Sequence, residues 1–370
     1  MRFVRRYSII IVFAAIFMVC LNRVGESANV EPLAPGLWVS TVLETVVIPS
    51  HKEFVVASGH MVEAAGRLCA EPGSGTLETA RSRFAKLVAA WSNIELYRFG
   101  PARVNNLHAR LFFWPDRRNR GIRQVKRIIK SEDTTAVDLS KLKNKSVATQ
   151  GLPALEYLFF GQGAETLKNS VGEYRCSYAY TVAQAIDDHA AILLAYWADD
   201  GGHAQTMMST GGSNSIYYST EEVIQELLWA AITQLEIIYN LKLKAMLGES
   251  PDKTKPYRTP FARSTLAPSA ISDNIDSVLR LFANSSAPLL SSKNHGHYAA
   301  TLRFELDQVS YVFAELDEDL RGWKDLLQIP RTQESLRYSL YPLAGAIRVL
   351  REDYTSALGL SLGFNAMDGD

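Results

Sequence analysis

The chain has 370 residues, 47% of them hydrophobic and 21% charged, which is enough apolar material for a full core and too much for a disordered chain. Lys plus Arg and Asp plus Glu both number 39, so the formal net charge is zero and nucleic acid is not an expected partner. Gly 23 and Pro 14 exclude a collagen-like or low-complexity chain.

The first residues, Met-Arg-Phe-Val-Arg-Arg, lead into an apolar run from Ile9 to Val19, and small residues follow at Gly25, Ser27 and Ala28. A basic start, a short apolar stretch and a small-residue exit describe a secretory signal peptide over 1–27, cut after Ser27 or Ala28. The apolar run is short of the roughly 20 residues of a transmembrane helix. Cleavage removes four Arg (Arg2, Arg5, Arg6, Arg23) and one Glu (Glu26), leaving a net charge of −3. The expected location is the periplasm or cell envelope. Membrane association requires lipidation of Cys20, giving an outer-membrane lipoprotein, and Val19 before it is not the small residue such a signal wants. Cys69 and Cys176 then remain, an even pair that an oxidising compartment favours as one disulfide over two buried thiols.

Helical periodicity runs through nearly the whole chain. Apolar residues recur at spacings of three and four from Leu37 to Leu68, with Pro49 a kink, and again from Leu77 to Phe99. Tyr174 to Trp197 and Glu221 to Leu247 follow, the latter with Ser219 and Glu222 at capping-box spacing. Ser269 to Phe282, Tyr298 to Leu316 and Glu334 to Tyr354 complete the set, and no hairpin signal interrupts it. The expected class is all-α, with two helix bundles packed together. The Gly-rich stretch at 199–215 divides the chain into an N-terminal bundle over 28–200, a linker over 201–215 and a C-terminal bundle over 216–370. A second loop, Gly248 to Pro260, joins helices within the second half.

HExxH, GxSxG, GxxxxGK[ST] and GxGxxG are all missing, so no catalytic residue is assigned. Two segments stand out. In Gly151-Leu-Pro-Ala-Leu-Glu-Tyr-Leu-Phe-Phe-Gly161, Pro153 suits the first turn of a helix and Glu156 falls one turn further in. Glu156 is either a helix-start carboxylate above packed Leu155, Leu158 and Phe159, or a carboxylate fixed at a site beside the Gly151 approach. In Trp91-Ser-Asn-Ile-Glu-Leu-Tyr-Arg-Phe-Gly-Pro101, Trp91 and Glu95 share a helix face, Arg98 follows Glu95 by three, and Gly100-Pro101 stops the helix. The Glu95–Arg98 pair is either a solvated ion pair or the wall of a cleft.

These motifs, together with Arg175-Cys176 and the terminal Leu-Gly-Phe-Asn-Ala-Met-Asp-Gly-Asp over 362–370, resemble the imelysin-like family of bacterial envelope proteins from roughly Leu33 to Asp370. The resemblance implies a two-bundle helical fold, export, a connection with iron uptake, and a classification with metallopeptidases. The family's metal motif is GxHxxE, in which His and Glu share a helix face. Here Pro153 stands in the His place and offers no ligand, so iron as a cofactor at Glu156 is in doubt. His60 and Glu63 form the one HxxE pair and are the alternative metal ligands. His189 beside Asp187 and Asp188, and His295 and His297 before a helix, read as core and loop residues.

The basic run Arg117, Arg118, Arg120, Arg123, Lys126, Arg127 and Lys130 and the acidic run Glu315, Asp317, Glu318 and Asp319 read as solvated faces. Tyr217, Tyr218 and Trp229 line either the core or a groove between bundles. The favoured function is an exported binding protein holding iron or an iron-linked ligand in a cleft built from Glu95, Arg98, Gly151, Pro153 and Glu156. The alternatives are a helical scaffold docking an envelope protein partner after loss of metal binding and, less favoured, a metallopeptidase.

Overall fold

The computed structural model describes residues 31–360, except 117, 213, 215 and 318–321. The signal segment, Cys20, Arg117, Glu318, Asp319 and the 362–370 motif lie outside the described residues. Within them every regular element is helical.

Helix α1 spans 35–70 as three continuous stretches, Pro35–Val42, a π-wound Leu43–Val47 and Ile48–Ala70. The irregular winding falls just before Pro49, whose missing N–H cannot continue the regular ladder. Helix α2 is Ser74–Ile94. It ends six residues before Gly100, so Glu95 caps the helix instead of sitting inside it. The shorter α3, Arg120–Ser131, and α4, Leu152–Phe160, lead to the long α5, Glu173–Ala198. The 201–215 segment carries its own short helix, α6, His203–Met208, with Ala204 and Met207 buried.

Helix α7 covers 220–247, opening on Ser219, whose Oγ accepts from the Glu222 N–H at 3.4 Å, and turning π-wound over Ile237–Lys244. Helix α8 covers 267–283 and α9 is His297–Asp317. The last periodic segment is two helices, α10, Pro330–Tyr338, and α11 over 340–358, split at Ser339. Pro342 explains the split, because it has no N–H to give the carbonyl four residues back.

The first bundle is α1 packed along α5 and α2, with α4 laid across α2 and α5. The second is α8 and α9 with α7 and α11. The bundles meet where α2 packs on α8 and where the start of α1 packs on α7. Trp38 marks that seam. Its ring lies 5.5 Å from Phe282, and its indole N–H donates to Ser285 Oγ at 3.2 Å. One apolar core runs through both bundles. Cys69 at the end of α1 and Cys176 at the start of α5 are joined as a disulfide, with Cα atoms 5.5 Å apart.

Candidate functional site

Glu95 is fully buried at the seam and is met from three elements. Its Oε1 accepts from Arg98 Nη2 at 2.6 Å, and its Oε2 from Lys242 Nζ on α7 at 2.7 Å and Asn274 Nδ2 on α8 at 3.1 Å. Lys242 Nζ also donates to Asn274 Oδ1 at 2.5 Å and stands 5.7 Å from the Trp114 ring centre. Burial alone would raise the Glu95 carboxyl, but Lys242 and Arg98 outweigh it and hold the group at about 2. An unpaired charge in such a place is costly, so the three partners are mutually required. The Glu95–Arg98 pair is therefore part of a buried network and not a solvated ion pair, with only Arg98 reaching out of it, 27% of its side chain being exposed.

Glu156 is a second buried carboxylate. Gly151, at φ +81°, starts α4, and a Cβ there would fall 2.3 Å from the Arg110 carbonyl oxygen, which explains the glycine. One turn later Glu156 Oε1 accepts from the Arg263 N–H at 2.9 Å, the Ser264 N–H at 3.0 Å and Ser264 Oγ at 3.0 Å. Arg263 Nη1 stands 3.8 Å from Oε2. Burial pushes the Glu156 carboxyl upward, against the pull of Arg263 and these donors. The loop it grips turns through left-handed φ at Phe261 (58°) and Thr265 (64°). A hollow of about 60 Å³ beside it is lined by Pro153, Trp114, Asp116 and Arg263. Asp116 is engaged as well, accepting from the N–H groups of Arg120 and Gly121 at 2.8 Å each. A metal held at this motif does not fit: one oxygen of Glu156 already has three donors, a guanidinium faces the other, and Pro153 supplies no donor atom.

Arg175 and Cys176 have structural work too. Arg175 donates to the carbonyls of Leu158 (2.7 Å), Gln162 (2.8 Å) and Tyr157 (2.6 Å), closing the C-terminal end of α4.

Between the bundles, the 96–104 segment faces α6 and the start of α7 across two joined hollows of about 700 and 680 Å³. Both are lined by Arg103, Ile216, Tyr217 and Glu226, and the second adds Arg98, Tyr218 and Trp229. This is a size suited to a small-molecule ligand. Tyr217 is buried, with its hydroxyl bonded to Glu226 and 3.1 Å from His203 Nε2. Gly100, at φ +48°, lies so close to His203 that a Cβ would fall 2.4 Å from the ring nitrogen. Burial drives the His203 imidazole down to about 4 and the Glu226 carboxyl up.

Of the expected site residues, Glu95 and Arg98 are joined directly, as are Gly151, Pro153 and Glu156 on one helix start. No hydrogen bond joins the two groups. Trp114 touches both, over Lys242 and along the Glu156 hollow. His60 and Glu63 lie exposed on α1. Among the described residues, no group of three or more His, Cys, Asp or Glu is placed to hold a metal ion. His189 is buried on α5. His295 stacks on Tyr298 at 5.2 Å. Arg118, Arg120, Arg123, Lys126, Arg127 and Lys130 are exposed on and before α3. Sequence reasoning missed Lys242 and Asn274. Both interrupt an apolar stripe, Lys242 between Ile238 and Met246, and Asn274 between Ala270 and Val278, and that was the available signal.

Two solved structures share the fold. An imelysin-like protein from Psychrobacter arcticum superposes with a TM-score of 0.74 at 18% identity, covering 89% of this chain and 97% of the other. A protein described as an iron-regulated protein A precursor, from Parabacteroides distasonis, gives 0.65 at 16% identity, covering 88% and 97%. A search of curated proteins finds no match. Residues 47–339, which carry Glu95, Arg98, the Gly151–Glu156 helix start and Arg175-Cys176, match the sequence profile of imelysin, peptidase M75, and this chain belongs to the imelysin family.

Proposed function

We propose that this protein is an exported binding protein of the bacterial cell envelope, connected with iron uptake, that takes an iron-linked ligand in the cleft between its helix bundles. The observation that carries the reading is that cleft, into which Arg98 projects from a buried carboxylate network. The family, the signal-like N-terminus and the iron-regulated description of one structural neighbour support the setting. Among the described residues no helix is long and apolar enough to cross a membrane. Because Glu156 is engaged and Pro153 supplies no ligand, the iron is read as arriving already chelated and not as a bare ion.

The mature protein, residues 28–370, is analysed for metal and titrated calorimetrically with bare ferrous and ferric ions and with ferric chelates. Chelate binding that persists in Glu156→Ala, without stoichiometric bare iron, is the expected result. Stoichiometric bare iron lost in Glu156→Ala would return the site to the α4 motif. No binding of any iron form would leave the scaffold reading, which the engaged Glu156 also suits, and a pull-down from envelope fractions would then seek the partner.

A further inference from the structure

Val104, Tyr196, Ile216 and Tyr218, four of the large apolar side chains exposed by the chain, all stand around the inter-bundle cleft. Scattered exposed apolar residues need no explanation, but a group rimming two joined hollows, with Ile216 and Tyr218 on the one that holds Arg98, marks a place where an apolar body docks. Trp229 adds an indole to the same wall.

Arg98 supplies the other half of the chemistry. Its Nη2 is pinned to Glu95 at 2.6 Å, and no other acceptor among the described residues takes a hydrogen bond from it, its buried Nε included. A guanidinium that is always charged, held in one orientation and left with spare donors, suits a carboxylate. Arg103, whose Nε donates to the Arg98 carbonyl at 3.4 Å, brings a second cation to the same place. The acids of that wall are already engaged. Glu226 accepts from the Tyr217 hydroxyl and is pushed upward by burial against the pull of Tyr217 and Arg103, and Glu222 accepts from the Tyr218 N–H at 2.6 Å. Asp199 and Asp200 line only the other hollow, which turns an anionic group towards Arg98.

We propose that the cleft binds an amphipathic organic anion, with an aromatic or apolar body lying against Ile216, Tyr218 and Trp229 and a carboxylate directed to Arg98 and Arg103. Aromatic carboxylate chelators of iron are members of this class. The link to iron rests on the function proposed above; the anion site does not.

The mature protein is titrated calorimetrically with salicylate, iron-free and as its anionic bis-salicylate ferric complex, and with a neutral ferric trihydroxamate. Salicylate in both forms is expected to bind and the neutral chelate is not. Arg98→Gln is expected to weaken salicylate about tenfold, the weight of one charged hydrogen bond, and Arg103→Gln several-fold. Tyr218→Ala is expected to weaken it also. Because Arg98→Gln disturbs the Glu95 network, its folding is checked by melting. The exposed Arg103 and Tyr218 variants carry the test if it unfolds. Equal binding of neutral and anionic chelates, or salicylate affinity unchanged in Arg103→Gln, overturns the proposal. Binding of iron-free salicylate without its ferric complex keeps the anion site and removes the iron link. Arginine-insensitive binding of the trihydroxamate does the reverse, and no binding by any probe removes both.

Discussion

Glu156 is the carboxylate for which the sequence offers a metal-binding reading, yet its neighbours in space treat it as an acceptor for a loop. The sequence makes the missing ligand at Pro153 visible. It does not reveal the three donors, because Arg263 and Ser264 lie more than a hundred positions away, beyond a loop expected to serve only the second half. The same holds at Glu95, whose near partner Arg98 is legible at i+3 while Lys242 and Asn274 are brought in by packing alone. Local spacing reports what a helix face can reach, and the interbundle seam is out of its range. The expected consequence at Glu156 is a loss of stability instead of a loss of metal. Glu156→Ala leaves the N–H groups of Arg263 and Ser264 without an acceptor, while the Ser264 hydroxyl keeps the Phe261 carbonyl, a cost on the order of 3 kcal/mol. Glu156→Gln keeps an oxygen for them and costs roughly 1 kcal/mol. Denaturant melts of both variants, set beside their metal content, check this. An Ala variant as stable as the parent would remove the loop-gripping role.

At the level of elements, the periodicity that places apolar residues three and four apart locates nearly every long helix, because burial of one face is what makes these helices stable. The ends and the irregular turns are less legible. Glu95 falls outside α2 because the chain turns at Ile94 to bring residues 95–104 to the cleft, and the Pro342 break was hidden by an apolar pattern that continues through it. The π-wound turn over Ile237–Lys244 leaves no mark in composition, although Lys242 within it is the residue that reaches Glu95. The disulfide was readable by parity and compartment, and it ties the far ends of α1 and α5, the pair that packs most closely in the first bundle. It closes a loop of 107 positions. Loop-closure entropy gives such a bridge about 4–5 kcal/mol. Cys69→Ser with Cys176→Ser is therefore expected to lower stability by several kcal/mol while far-ultraviolet circular dichroism stays helical. Melts of the parent in reductant should follow the double variant; a double variant that melts with the oxidised parent would show that helix packing alone fixes α1 on α5.

The whole molecule carries one core through both bundles, and several histidines are caught in it. His51 and His189 are buried, and His108 and His203 are held between aromatic rings. Burial is the largest influence on each and drives them down, His51, His189 and His203 to about 4 and His108 to about 3. A histidine lowered in this way is neutral when folded, whereas the unfolded chain takes up its proton near pH 6.5. The stability each contributes is thus fully present above pH 6.5 and is lost as pH falls towards 4. For the well-buried His51 and His189 the loss is on the order of 3 kcal/mol each. Glu95 acts in a lower window: its lowered carboxyl contributes above about 4.5, and that contribution goes as pH falls towards 2. Acid unfolding is accordingly expected to begin in the histidine window, before Glu95 is protonated. Melting temperatures taken from pH 8 to 4 should stay level above 7 and fall below 6.5, with a shallower fall in His189→Gln. A protein whose melting temperature holds from pH 7 down to 4.5 would mean that these rings reach water in the folded state, and the single continuous core would have to be redrawn around them.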